Sequence, residues 1–320
     1  MQLKNLVKYK NLIKDLDDEG LKKHINSKLS ALLSDIKLHE FDSDNLKEKM
    51  QGNHLKVLEN LEDLSDNLNK FRTDLQNTIE TLEQPYYQKS EIIYKENQLM
   101  HPEIRRSRLR ANNLINNDES RQLLVDTVDT YISSQYPTLQ LSPGYGDVTK
   151  HILAGTPLYI VDDDQIMLEQ FQGEFFNDTM IRRTNFYVMN DKDDDPLLGL
   201  PKEQIGFCVI IDYFNFKTVD IIRKYLQSLY NIMRAGGVVI FTFNNCDYPK
   251  GIDKVDEMYY CYTTESEMQT MCKELGFKII KLVARDYDER NNGISWLEIK
   301  KPGELITIRA GQGLAQIMDL

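Results

Sequence analysis

The stretch Leu139-Gln140-Leu141-Ser142-Pro143-Gly144-Tyr145-Gly146-Asp147-Val148-Thr149 reads as an apolar strand, a tight glycine turn and the start of a helix. Sixteen residues after Gly146, a second apolar run, Tyr159-Ile160-Val161, ends in Asp162. Few folds accept that order. A strand that passes through a helix into a parallel neighbour builds a doubly wound sheet. At the carboxyl ends of such strands, glycines let the backbone approach a ligand, and an acid at the next strand end can hold ribose hydroxyls.

Further apolar runs extend the pattern. Strand-like segments at 138–141, 158–161, 185–189, 207–211, 238–243, 278–283 and 294–299 alternate with helical ones. The last two runs lack a helix-length gap between them, which predicts an antiparallel hairpin at one sheet edge. The expected fold is α/β: a doubly wound, mostly parallel, seven-stranded sheet over 119–320, preceded by an all-α N-terminal region.

That N-terminal region is marked by proline. All nine prolines lie at or after Pro85. Residues 1–84, rich in Leu, Lys, Glu and Asp, read as helix. Val57, Leu61, Leu64, Leu68, Phe71, Leu75 and Leu82 recur at spacings of three and four, with Thr78 at the missing step, as in a coiled-coil seam. A looser amphipathic pattern runs over 3–36. The region predicts self-association into a homo-oligomer, docking of a protein partner, or an intramolecular bundle. Pro85-Tyr86-Tyr87 is expected to end the helix, leaving 85–118 as a linker and transition helix. Within it Arg105, Arg106, Arg108 and Arg110 could grip a phosphate or an acidic partner, or form a solvated face.

Composition narrows the function. Cys208, Cys246, Cys261 and Cys272 include no C-x-x-C pair and do not cluster with the histidines, so no metal site is expected. Net charge is −11, with the first 90 residues holding 14 basic against 16 acidic groups and the rest 25 against 34. The acidic balance disfavours long nucleic acid. No membrane-length apolar run occurs and Met1-Gln2-Leu3-Lys4-Asn5 lacks signal-peptide character, which predicts a soluble, cytoplasmic protein.

Taken together, residues 120–300 resemble the class I, Rossmann-like S-adenosylmethionine-dependent methyltransferases. The pieces that carry the resemblance are the loop Pro143-Gly144-Tyr145-Gly146, the acidic end Val161-Asp162 followed by Asp163-Asp164, and the third-strand end Met189-Asn190-Asp191. The fourth strand, ending Ile211-Asp212, and the turn Arg234-Ala235-Gly236-Gly237 before the fifth strand complete the order, with Thr263-Thr264-Glu265 leading into the late helix. The resemblance implies a cofactor site of Ser142, Gly144, Tyr145, Gly146, Asp162, Asp163, Asp191 and Asp212, with Asp162 on the ribose and Asp191 on the adenine amino group. Asp212, Tyr213 and Asn244 are the expected catalytic residues, facing a small-molecule or protein acceptor. The composition and the C-terminal run 294–304 are similar to methyltransferase-like proteins of tailed bacteriophages, implying host cytoplasm or virion.

The chain also departs from the family. Gln140 and Ser142 stand where an acid and the first glycine are usual, and Cys208 where the fourth strand usually carries an acid. These departures keep a second reading open: a degenerate methyltransferase fold retained as a structural or assembly scaffold. A nicotinamide dehydrogenase is weaker, because its third glycine falls at Thr149.

Overall fold

The computed structural model describes residues 44–101, 104, 118–175, 181–284 and 293–305. The chain divides into two compact units, Met1–Pro85 and Tyr86–Leu320.

In the first unit the helix α1 (Asp44–Leu99) begins. Of the expected seam, Leu75 is buried, Phe71 is 49% exposed, and burial passes to Ile79 rather than Thr78. The Thr78 hydroxyl instead donates back to the Asp74 carbonyl at 2.7 Å. The side chains of Val57, Leu61, Leu64 and Leu68 lie outside the described residues, as do the 3–36 pattern and the four arginines of 105–110.

Pro85 does not end α1, contrary to the sequence expectation. An interior proline removes a helical hydrogen bond and costs about 3 kcal/mol. Contacts of the following turns, within the second unit, hold the helix in spite of it. Ser90 Oγ donates to the Tyr86 carbonyl and accepts the Tyr262 N–H at 2.6 Å. The Tyr86 ring stacks on Tyr262 at 5.3 Å, and Tyr87 meets the same ring edge-on.

The rest of the second unit alternates strands and helices: α2 (Asp118–Tyr131), β1 (Thr138–Leu141), α3 (Thr149–Ile152), β2 (Leu158–Asp162), α4 (Gln165–Phe175), β3 (Thr184–Val188) and β4 (Ile205–Ile210). There follow a 3-10 turn (Phe214–Phe216), α5 (Val219–Ile232), β5 (Met233–Asn244), α6 (Pro249–Asp256), α7 (Glu265–Glu274), β6 (Lys278–Ala284) and β7 (Ile294–Lys300). The sheet order is β3-β2-β1-β4-β5-β7-β6. β1 to β5 run parallel, and β7 is antiparallel to both β5 and β6. The expected hairpin is present, with β7 inserted between β5 and β6.

Strand periodicity builds two cores, one on each face. Leu139, Leu141, Cys208, Ile210, Val239 and Phe241 face α5 and α7, meeting Ile222, Leu226, Met268 and Met271. Phe207, Val209, Val238, Ile240 and Trp296 face the other way, against Leu124, Val128, Ile152 and Phe171. Burial pushes the Cys208 thiol well above its usual range, so it packs as a neutral small hydrophobe. On that second face Glu298 is 3% exposed and accepts from Thr127 Oγ1 (3.3 Å), Tyr131 OH (3.4 Å) and Trp296 Nε1 (3.1 Å). This carboxylate ties α2 to the sheet.

Candidate functional site

The parallel strands bring the predicted residues to one edge of the sheet. β1 leads into Ser142, whose N–H continues the ladder to the Val161 carbonyl at 2.8 Å. The chain then turns through three left-handed residues, Ser142 (φ 53°), Gly144 (φ 57°) and Gly146 (φ 85°). A Cβ added at Gly144 would meet nothing within 4 Å, so the loop presents backbone to open space. Gln140, 1% exposed, accepts from Thr149 Oγ1 at 2.7 Å. That bond clamps the end of β1 to the start of α3 and closes the loop between them.

Asp162 ends β2 and is 1% exposed, with Oδ1 accepting the Asp164 N–H at 3.0 Å. Asp164 in turn caps α4, accepting from the N–H groups of Ile166 and Met167. After β4, Asp212 takes a left-handed φ of 57° and donates its N–H to Thr242 Oγ1 at 2.8 Å. Its Oδ1 accepts from Asn215 Nδ2 at 3.3 Å. Strained non-glycine residues at the ends of neighbouring strands are characteristic of functional edges.

Asp163, Asp191 and Tyr213 come together around a residue the sequence did not single out. Lys217 Nζ lies 2.6 Å from Asp163 Oδ2 and 2.5 Å from Asp191 Oδ2, with its side chain 2% exposed. Its ammonium sits 4.4 Å from the Tyr213 ring centre and 5.6 Å from that of Tyr94. Tyr213 OH donates to Asp163 Oδ2 (3.1 Å) and lies 3.2 Å from Asp191 Oδ1 and 3.0 Å from Tyr225 OH. Tyr225 OH donates to Asp191 Oδ1. From α1, Tyr94 OH and Gln98 Nε2 each donate to Asp191 Oδ2 at 3.1 Å. With the Tyr213 proton on Asp163, Asp191 takes four donors, Tyr94, Gln98, Lys217 and Tyr225, on two oxygens that offer about four lone-pair positions. An adenine amino group would have to displace one of them. Burial and then the nearby carboxylates push Tyr94 and Tyr225 above their usual range; for Tyr213 burial is again the first cause, followed by Asp163. All three remain protonated donors at neutral pH.

Asn244 ends β5, fully buried. Its Nδ2 donates to the carbonyls of Gly251 and Cys261, each at 3.0 Å, and lies 3.3 Å from Cys246 Sγ. It thereby braces the two sides of the segment between β5 and α7. Gly251 allows this close approach, since a Cβ there would lie 2.1 Å from the Asn245 carbonyl oxygen. Tyr145 is half-buried on the glycine loop. Among the described residues no group of three or more His, Cys, Asp or Glu side chains is placed to hold a metal ion. No described helix is long and apolar enough to cross a membrane.

No family model and no curated protein matches the sequence. Solved structures do. One is a Haloferax volcanii complex between the Trm112 methyltransferase activator and a proposed methyltransferase, with TM-score 0.46, 13% identity, and coverage of 57% of this chain and 92% of that one. Another is the N-methyltransferase NodS from Bradyrhizobium japonicum with S-adenosyl-L-homocysteine bound, at TM-score 0.45, 11% identity, and coverage of 59% and 89%. A third is an S-adenosylmethionine-dependent methyltransferase from Methanosarcina mazei, at TM-score 0.44, 10% identity, and coverage of 56% and 98%. The seven-stranded mixed sheet with flanking helices is this chain's own, read from its strand order and pairing.

Proposed function

We propose that the second unit binds S-adenosylmethionine at the carboxyl edge of β1, β2 and β4 and transfers its methyl group to an acceptor, and that residues 1–84 serve self-association or docking. The observation that carries this reading is the pairing of an open, left-handed glycine loop after β1 with the buried Asp162 at the end of the adjacent β2. The residues present fit the cofactor at these two places and are crowded at Asp191. The backbone at Ser142, Gly144, Tyr145 and Gly146 would line the amino-acid end, and Asp162 would accept from two ribose hydroxyls. Asp212 and Tyr213 would border the transfer site, with Asn244 shaping the acceptor side. When bound, the cofactor supplies a methyl group already activated on a sulfonium. Orientation then does most of the work for a good nucleophile, and a strong base is not required. The acceptor would be a small molecule or a protein.

One observation favours the second reading, a fold retained as a structural or assembly component. Asp191 is satisfied entirely from within the chain, in a protein that also carries Gln140 and Ser142 in the loop. Calorimetry separates the two. The methyltransferase reading expects S-adenosylmethionine and its demethylated product to bind in the micromolar range, with binding lost in Asp162→Ala. Absence of heat up to millimolar ligand would leave the scaffold reading standing alone.

A further inference from the structure

The acid pair at the sheet edge already has a cationic guest. Lys217 reaches Asp163 and Asp191 from the end of the 3-10 turn, where its backbone is extended (φ −112°, ψ 143°) and its N–H is fixed on the Phe214 carbonyl. The position is therefore set by the chain between β4 and α5. The carboxylates formally bring two negative charges to the Lys217 ammonium, and hydroxyl and amide donors converge on the same oxygens. Two of those donors, Tyr94 and Gln98, sit four residues apart on one face of α1 and reach the same oxygen of Asp191.

We propose that Lys217, roofed by Tyr94 and Gln98, is an internal competitor for the nucleoside end of the cofactor, and so sets the affinity of the site. The inference rests on the cofactor site proposed above. Asp191 has no acceptor position left for an adenine amino group while the three side chains remain on it. A nucleoside ligand gains this acid only by displacing a chain donor, and its binding free energy is reduced by the contacts it breaks. The same geometry explains why the residues placed to recognise a ligand are so deeply buried: the side chain of Lys217 is 2% and those of Asp163 and Asp191 each 4% exposed. Lys217 and its roof thus determine specificity and affinity at the Asp191 end, whereas the glycine loop and Asp162 provide the remaining contacts.

The test is calorimetric titration of the full chain with S-adenosylhomocysteine, in wild type, Lys217→Met and the double variant Tyr94→Phe/Gln98→Leu. The double variant removes roof donors without leaving a charge unpaired, so it decides the matter if Lys217→Met fails to fold. The expected result is at least a tenfold tighter Kd in the folded variants than in wild type. Wild-type binding with equal or weaker affinity in the folded variants overturns the competition and leaves the cofactor site standing. If neither wild type nor the folded variants bind, the cofactor reading fails and the competition falls with it.

Discussion

At the scale of single residues, the glycine loop carries its own test. Ser142 holds a left-handed φ of 53°, which costs a residue with a Cβ about 1–2 kcal/mol. Glycine would remove that cost while losing about 0.5–1 kcal/mol of unfolded-state entropy. Ser142→Gly is therefore expected to raise unfolding free energy by about 0.5–1 kcal/mol, read from urea midpoints. Gln140→Leu acts in the opposite direction, because Thr149 is fully buried and would lose its acceptor. Its expected cost is about 1–3 kcal/mol in the same assay. The placement of Gly144 and Gly146 in a tight turn and of Asp162 at a strand end was legible in the sequence because both are local features. Lys217 was not. Its partners lie 54 and 26 residues away, and the helix residue Tyr94 reaches Asp191 across 97. A lysine between Phe216 and Thr218 shows no periodicity that would announce a buried ammonium.

At the scale of elements, all seven strands were visible as apolar runs, and what shifted were their limits. The segment Arg234-Ala235-Gly236-Gly237, read as a turn, lies inside β5. Between the pairs Ile205–Met233 and Phe207–Val238 the register of β5 advances further than that of β4, so these residues form an irregularity within the strand. Gly236 absorbs it with a φ of 80°. Proline misled at α1 for a related reason: tertiary contacts outweigh the local penalty at Pro85. Ser90 is central to those contacts, since its hydroxyl receives the buried Tyr262 N–H. Ser90→Ala is expected to lower unfolding free energy by about 1–3 kcal/mol and to raise amide hydrogen exchange over 86–99.

At the scale of the whole molecule, the pattern of buried tyrosines sets the response to alkali. Tyr94, Tyr213, Tyr225 and Tyr260 are all pushed up from an ordinary value of 10.0, in each case first by burial. The folded state keeps these protons where the unfolded chain releases them. Their contribution to stability is therefore fully present below about pH 10 and is lost as pH rises beyond it, because the unfolded state then binds fewer protons. Urea midpoints measured across that range should decline steeply. The tyrosinate absorbance of these residues should appear together with loss of secondary structure; its appearance in the folded protein would refute the assignment. The opposite face of the sheet offers a separate view. The chain has one tryptophan, Trp296, and its indole N–H rests on the same carboxylate that holds Thr127 and Tyr131 of α2. Its fluorescence is consequently a built-in optical probe of α2 docking, so detachment of that helix can be followed by emission colour without any label and apart from events around Lys217.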